Sequence, residues 1–219
     1  MHTHIPPTGE ICVRGPCIFA GYYKNEAATK ETVVDGWLHT GDIGRWNPSG
    51  SLSIIDRKKN IFKLSQGEYI AAEKVENVYG KCSAVSQIWV YGDSYYSFVI
   101  AVVVPAIEPT IAFLKSKGKW EDDGKEPDHL KKFASKVKSE CDLVKEFLLQ
   151  GLRKEEDNLV KYEKVKDIIV EGNVDKDGNG FTVENDCMTP TFKLRRTFLK
   201  KAYMDSIVKC YADNGEKKK

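Results

Sequence analysis

The stretch Phe98–Pro105, FVIAVVVP, limits the fold more than any other part of the sequence. It is a continuous apolar run rich in β-branched residues. Such side chains suit a pleated strand, and an apolar run without alternation is the pattern of a strand buried inside a core. It is too short to cross a bilayer, which takes about 20 apolar residues, and no longer run occurs elsewhere. Val85–Tyr91 before it and the turn Gly92-Asp93-Ser94 predict an antiparallel pair. Its second strand, Tyr96–Val104, is the more buried one.

Around that pair the pattern changes once. Residues 9–57 are rich in strands and turns. A strand is predicted over Glu10–Val13, ending at Gly15-Pro16, and a helix over Glu26–Val34, capped by Asn25. Turns are predicted at Asp35-Gly36 and Gly41-Asp42, with Trp37–Thr40 extended between them. Pro48-Ser49-Gly50 turns a hairpin of Ile43–Trp46 and Leu52–Ile55. After Arg57 helices enter. Ala71–Tyr79 carries Ala72, Val75 and Tyr79 on one face, and further helices are predicted over Thr110–Lys117, His129–Lys138 and Cys141–Glu156. Gly151 weakens the last of these. Gly118–Pro127 reads as a polar loop, Val165–Val170 as a strand and Asp175–Asp186 as a turn-rich loop. Arg195–Tyr211 reads as a final helix with Phe198, Ala202, Ile207 and Tyr211 toward a core, and Asn214–Lys219 as a frayed tail. The boundary falls near Asp56–Lys59, and the fold class is α+β.

Composition narrows the function. Of 219 residues, 41% are hydrophobic and 30% charged, as in a soluble globular protein. The net charge of +2 gives no general case for a nucleic-acid partner. Cys12, Cys17, Cys82, Cys141, Cys187 and Cys210 form no C-x-x-C pair, so free thiols are expected rather than a metal site or a disulfide framework. The opening MHTHIPPTGE has no charged segment followed by an apolar core, as a secretory signal would. It falls from turn formers straight into a strand pattern, which reads as an excised piece.

Three clusters have chemical potential. His39–Asp42, HTGD, puts a carboxylate at a tight turn, where it can accept hydrogen bonds from neighbouring hydroxyls; alone, it is a common turn. Ile55–Tyr69, IDRKKNIFKLSQGEY, sets four basic residues beside a loop with Gly67, where a backbone without side chain lets a thin ligand pass. A solvated basic face fits the same residues. Met188–Arg196, MTPTFKLRR, delivers Lys193 just before a helix, as a point charge for a phosphate or carboxylate or simply as a charged helix start.

In order and spacing the clusters are more specific. DGWLHTGDIGRWNPSGSLSIIDRKK, Asp35–Lys59, resembles the signature of fatty acyl-CoA synthetases nearly throughout. GEICVRGPCIFAGYYKNEAATKE before it is similar to the preceding segment of acyl-adenylating enzymes. FKLSQGEYIAAEKVE and TPTFKLRR are similar to the following two, in the form used by eukaryotic long-chain synthetases. The resemblance runs from about Gly9 to Tyr211.

That resemblance implies a two-step ligase. A fatty acid attacks the α-phosphate of ATP to give acyl-adenylate and pyrophosphate, and the thiol of coenzyme A then displaces AMP. It implies that residues 1–57 are a β-rich remnant of the large adenylating domain and 58–219 the small mobile C-terminal domain. Residue by residue, Asp42 matches the ribose carboxylate and Arg57 the arginine near ribose and phosphate. Lys59 matches the hinge position. Lys193 matches the catalytic lysine of adenylation. Ser65, Gln66 and Gly67 match the loop lining the pantetheine tunnel. Ala72 departs from the proline many relatives carry. The phosphate loop, the magnesium-holding glutamate and the fatty-acid tunnel are expected upstream of Met1. The implied ligands are therefore ATP, coenzyme A and Mg2+, with the large N-terminal domain as partner. The isolated chain is expected to be inactive. A cytoplasmic place is implied, or the cytosolic face of endoplasmic reticulum, peroxisome or lipid droplet, with membrane attachment through an N-terminal region. A competing reading is a non-catalytic module whose basic loops hold phosphate ligands or an anionic membrane.

One motif stands outside the resemblance. Asp175, Asp177, Asn179, Gly180 and Asp186 fall at calcium-loop positions, but the last ligand is Asp and the preceding VKDIIVEG reads as a strand. A glycine-rich turn is the preferred reading.

Overall fold

A computed structural model describes residues 8–121 and 129–216. The opening MHTHIPP, most of the polar loop ending at Pro127, and the last three residues of the tail lie outside the described residues. The chain divides into two compact units. The first runs up to Phe62 and includes Ala71–Lys74, and the second comprises Lys63–Ile70 and Val75 onward.

In the first unit, β1 (Thr8–Val13), β2 (Val33–Val34), β3 (Trp37–Trp46) and β4 (Leu52–Arg57) form one antiparallel sheet. β3 is its hub and pairs with the other three. Helix α1 (Glu26–Thr32) is capped as expected, with Asn25 Oδ1 accepting from the Ala28 N–H at 3.0 Å. It stops earlier than predicted, because Val33 and Val34 pair with Leu38 and Trp37 instead. These β-branched residues gain more from a ladder than from another helical turn. Asp35 and Gly36, at φ +50° and +76°, make the two-residue turn between them. The turn expected at Gly41-Asp42 is instead a bulge inside the continuous strand β3. Cys12 pairs with His39 and Glu10 with Ile43, so β3 fits three residues where β1 has one.

A short 3-10 turn, Lys58–Asn60, leads into a two-stranded ribbon of β5 (Ile61–Lys63) and β6 (Tyr69–Ala71), which the sequence reading did not anticipate. Helix α2 (Ala72–Tyr79) follows at once.

The second unit is built on β7 (Val85–Tyr91), β8 (Val99–Pro105) and β9 (Val165–Val170), in the order β7-β8-β9. β7 and β8 are antiparallel, as predicted, while β9 is parallel to β8. The parallel return requires a long crossover, made by α3 (Ile107–Ser116), α4 (His129–Ser139) and α5 (Cys141–Arg153). Every residue of β8 is buried, in agreement with its unbroken apolar sequence. Ile100, Val102 and Val104 pack with Trp89, Phe181 and the final helix α6 (Arg196–Asp213). The alternate residues of β8 face the other side of the sheet. The buried face of α6 is Leu199, Ile207, Cys210 and Tyr211; Ala202 is exposed, contrary to expectation. α3 begins earlier than predicted and α5 ends earlier. Gly151 lies inside α5 because a Cβ there would stand 2.8 Å from Cys82 Sγ.

Candidate functional site

The bulge in β3 presents Asp42. Gly41 takes φ +73°, which glycine adopts without strain. The hydroxyl of Thr40 accepts from the Asp42 N–H at 3.1 Å and donates to the Ile11 carbonyl at 2.8 Å. Asp42 and Arg57 are cross-strand partners on β3 and β4, and Arg57 Nε lies 2.9 Å from Asp42 Oδ1. Two residues fifteen apart in sequence therefore form one charged pair, Asp42 half-buried and Arg57 exposed, as a strand register can arrange and sequence spacing cannot show. Asp56, next to Arg57, is buried and accepts from the Arg57 N–H at 2.6 Å and from Asn60 Nδ2 at 3.2 Å. It fixes the turn on which Lys58 and Lys59 are exposed.

Glu10 is the residue the sequence reading missed here. Its Oε1 accepts from the Gly41 N–H at 3.2 Å, and its Oε2 lies 3.1 Å from Lys58 Nζ and 3.3 Å from His39 Nδ1. The Lys58 ammonium, and after it the His39 ring, hold the Glu10 carboxyl below the usual carboxylate range. No local motif marks Glu10; only the pairing of β1 with β3 brings it across.

Ser65, Gln66 and Gly67 share the turn between β5 and β6. Gly67 takes φ +105°, where a side chain is strained, and its N–H donates to the Leu64 carbonyl at 3.0 Å. The turn is tied to the connection between β7 and β8. The Ser65 N–H donates to the Tyr96 carbonyl at 3.0 Å, and Gln66 Nε2 to the Ser97 carbonyl at 2.7 Å. Tyr96 stacks flat on Tyr211 of α6, with ring centroids 3.5 Å apart, so the turn rests on the core of the second unit. Beside Gln66 opens a cavity of about 560 Å³, whose lining includes Glu68, Arg153, Lys161, Lys164 and Lys166. Lys164 pairs with Glu156 at 3.4 Å and Lys166 lies over the Phe98 ring. The wall is basic on balance, a setting for a phosphate.

Lys193 lies in the second unit, on a tight turn before α6. The Thr189 N–H donates to the Lys193 carbonyl at 2.8 Å, and the Lys193 N–H donates to the Thr189 hydroxyl at 3.1 Å. Phe192, next to it, is exposed at φ +57°, an unusual backbone for an aromatic residue. The side chain of Lys193 is exposed and makes no ion pair among the described residues. By contrast Arg196 is bidentate to Glu76 of α2 at 2.7 and 2.6 Å, and Arg195 pairs with Asp186. Of three adjacent cations, two are structural and Lys193 is presented outward.

The remaining candidates are quieter. Asp175 Oδ1 accepts from the N–H groups of Asp177 and Asn179, both at 2.9 Å, and the loop leaves a strand rather than a helix. That is the geometry of a turn. All six cysteines are free thiols. Burial, and then the Asp167 carboxylate, push the Cys210 thiol up to about 12, so it stays protonated and unreactive. No helix among the described residues is long and apolar enough to cross a membrane.

The chain is 45% identical over 213 residues to "Long chain acyl-CoA synthetase 6, peroxisomal" of Arabidopsis thaliana, covering 95% of this chain and 28% of that protein. The chain is homologous to long-chain acyl-CoA synthetases. It is 44% identical to the mouse (Mus musculus) long-chain-fatty-acid–CoA ligase 5, covering 93% of this chain and 28% of that ligase. Among solved structures, the adenylation domain of a carboxylic acid reductase from Segniliparus rugosus, in complex with AMP and a co-purified carboxylic acid, superposes with a TM-score of 0.73. It is 31% identical, covering 95% of this chain and 28% of that one. No protein-family model matches the chain. This synthetase homologue thus spans less than a third of the length of the curated relatives it matches.

Proposed function

We propose that this chain serves as the C-terminal part of a long-chain fatty acid–CoA ligase. Fatty acid and ATP give acyl-adenylate and pyrophosphate, and coenzyme A then gives acyl-CoA and AMP. The observation that carries the reading is the outward Lys193 on a pinned turn, in a chain 45% identical to a long-chain acyl-CoA synthetase.

In this reading Asp42 accepts hydrogen bonds from the ribose hydroxyls and Arg57 orients it. Lys193 offsets the charge that builds up as the fatty-acid carboxylate approaches the α-phosphate. Such stabilisation is large only where water is excluded. The attacking oxygen forms the bond to phosphorus as pyrophosphate leaves with its electron pair. In the second step the thiol gives up its proton to solvent and forms the bond to the acyl carbon, while the acyl carbon–oxygen bond breaks and AMP leaves with its electron pair. Gly67 gives the pantetheine arm a backbone without side chain, and the basic cavity beside Gln66 suits the phosphates of coenzyme A. Lys59 is the hinge between the steps, with residues 1–57 belonging to the large domain and 58–219 to the mobile one. The large domain supplies the fatty-acid tunnel and the groups that hold Mg2+. A cytosolic or organelle-surface place fits the relative named peroxisomal.

Product identity tests the proposal. The complete protein, given ATP, a long-chain fatty acid and coenzyme A, is expected to release AMP and pyrophosphate with acyl-CoA. The 219-residue chain alone is expected to show no turnover. Release of ADP and phosphate, or retention of phosphate ligands without any turnover by the complete protein, would overturn it.

A further inference from the structure

We propose that Glu10, Cys12 and His39 form a tetrahedral site for a zinc-class divalent cation, with one position open to water. The three donor atoms lie within 4.8 Å of one another, on residues that are all partly buried. Cys12 Sγ is 3.5 Å from His39 Nδ1, and the same Nδ1 is 3.3 Å from Glu10 Oε2. Zinc binds thiolate sulfur at about 2.3 Å and imidazole nitrogen or carboxylate oxygen at about 2.0–2.2 Å. Tetrahedral angles at those lengths put sulfur and nitrogen roughly 3.6 Å apart, and nitrogen and oxygen roughly 3.4 Å apart. Both separations match, and the sulfur and the Glu10 oxygen, which lie within 4.8 Å of each other, would come to roughly 3.6 Å around the ion.

The fold produces this convergence. Cys12 and His39 are opposite one another on β1 and β3. Glu10 lies two residues from Cys12, on the same side of the strand. The bulge at Gly41 then allows its carboxylate to turn toward the ring. A proton relay would engage the two ring nitrogens with different partners. Here thiol and carboxylate meet at one nitrogen, which carries at most one proton and cannot serve both well. A cation satisfies all three donors at once.

Thiolate and imidazole favour zinc over magnesium or calcium, whose ligands are oxygens. Thiolate and carboxylate together neutralise the two charges of the ion. Lys58, 3.1 Å from Glu10 Oε2, remains on the other lone pair of that oxygen and sets the affinity below that of a site with four protein ligands. Glu10 Oε1 still accepts from Gly41, so the ion would stiffen the bulge that presents Asp42. The sequence reading expected no metal, since the ligands are not clustered along the chain. The inference is independent of the ligase proposal.

Zinc titration of the reduced 219-residue chain against a chromophoric chelator tests it. One equivalent is expected at micromolar free zinc. Cobalt substitution is expected to give a thiolate-to-cobalt charge-transfer band and the intense visible bands of four-coordination. Cys12→Ser and His39→Ala should each weaken binding at least about a hundredfold, the upper range for loss of mere outer partners, with circular dichroism unchanged. Cys17→Ser and the double replacement of His2 and His4 should leave it unchanged. Absence of binding, a cobalt spectrum without the thiolate band, or an equivalent retained in Cys12→Ser and His39→Ala would overturn the site. So would its loss on replacing His2 and His4. Should a variant misfold, the cobalt spectrum of the unaltered chain decides alone.

Discussion

Asp42 and Arg57 form a charged pair on adjacent strands, and the proposed function has them serve the ribose together. With Arg57 Nε 2.9 Å from Asp42 Oδ1, the carboxylate is held in one orientation by its cross-strand partner. Asp42→Asn keeps the bulge, since backbone and Thr40 hold it, but removes the charge. In the proposed ligase it is expected to raise the KM for ATP roughly tenfold, the loss of one charge-assisted hydrogen-bonding group. Arg57→Ala added to it should cost less than on its own, since the two act as a unit; steady-state kinetics at varied ATP reads both. A second carboxylate reports on stability. Burial works against the charge on Asp167, but Lys145 at 2.7 Å, Asn214 and the Ile168 N–H outweigh it and hold its pKa below the ordinary value. A depressed pKa contributes stability that is present above the unfolded value and lost as pH falls through the folded one. Asp167→Asn should therefore melt lower than the parent at neutral pH, with the gap closing below about pH 4. Thermal midpoints across pH check it.

At the scale of elements, legibility followed burial and pattern. The run in β8 and its partner β7 were readable because a strand covered on both faces admits nothing else. The end of α1 was not, because Val33 and Val34 are acceptable in a helix and only their pairing with β3 decides against it. Gly41 looked like a turn because a glycine needed for a bulge is the same letter as one needed for a reversal. In α6, Ala202 is apolar but exposed and Cys210 buried, a phase that helical spacing alone leaves ambiguous. Gly151 in α5 had a reason lying in another element: buried Cys82, 2.8 Å from a would-be Cβ. Helix propensity favours Ala there by about 1 kcal/mol, while overpacking costs about 1–3 kcal/mol. Gly151→Ala is expected to destabilise the chain, and to become neutral or stabilising once Cys82→Ala removes the sulfur. Denaturant midpoints of both variants and the double variant check the sign. Within the candidate site, Asp42, Arg57, Gly67 and Lys193 are proposed through the resemblance carried by ordered motifs. Glu10 was not legible, since its role exists only in the register of β1 on β3.

For the whole molecule, two separate turns carry the groups proposed for two separate steps. Lys193 is held out by the Thr189 turn, and Gly67 sits in the turn pinned to Tyr96 and Ser97. Each unit has its own sheet, and the basic cavity beside Gln66 belongs to the second unit alone. Adenylation is proposed for the Lys193 turn and thioester formation for the Gly67 turn. The direct measurement is each half-reaction, taken separately, in Lys193→Ala and Gly67→Leu of the complete protein. The first step is followed as fatty-acid-dependent pyrophosphate exchange, the second as acyl-CoA formation from supplied acyl-adenylate. Lys193→Ala should lose exchange by about a hundredfold or more, the scale of removing one preorganised charge, while keeping thioester formation; Gly67→Leu should do the reverse. Equal loss of both steps in either variant, or normal exchange in Lys193→Ala, would contradict the assignment.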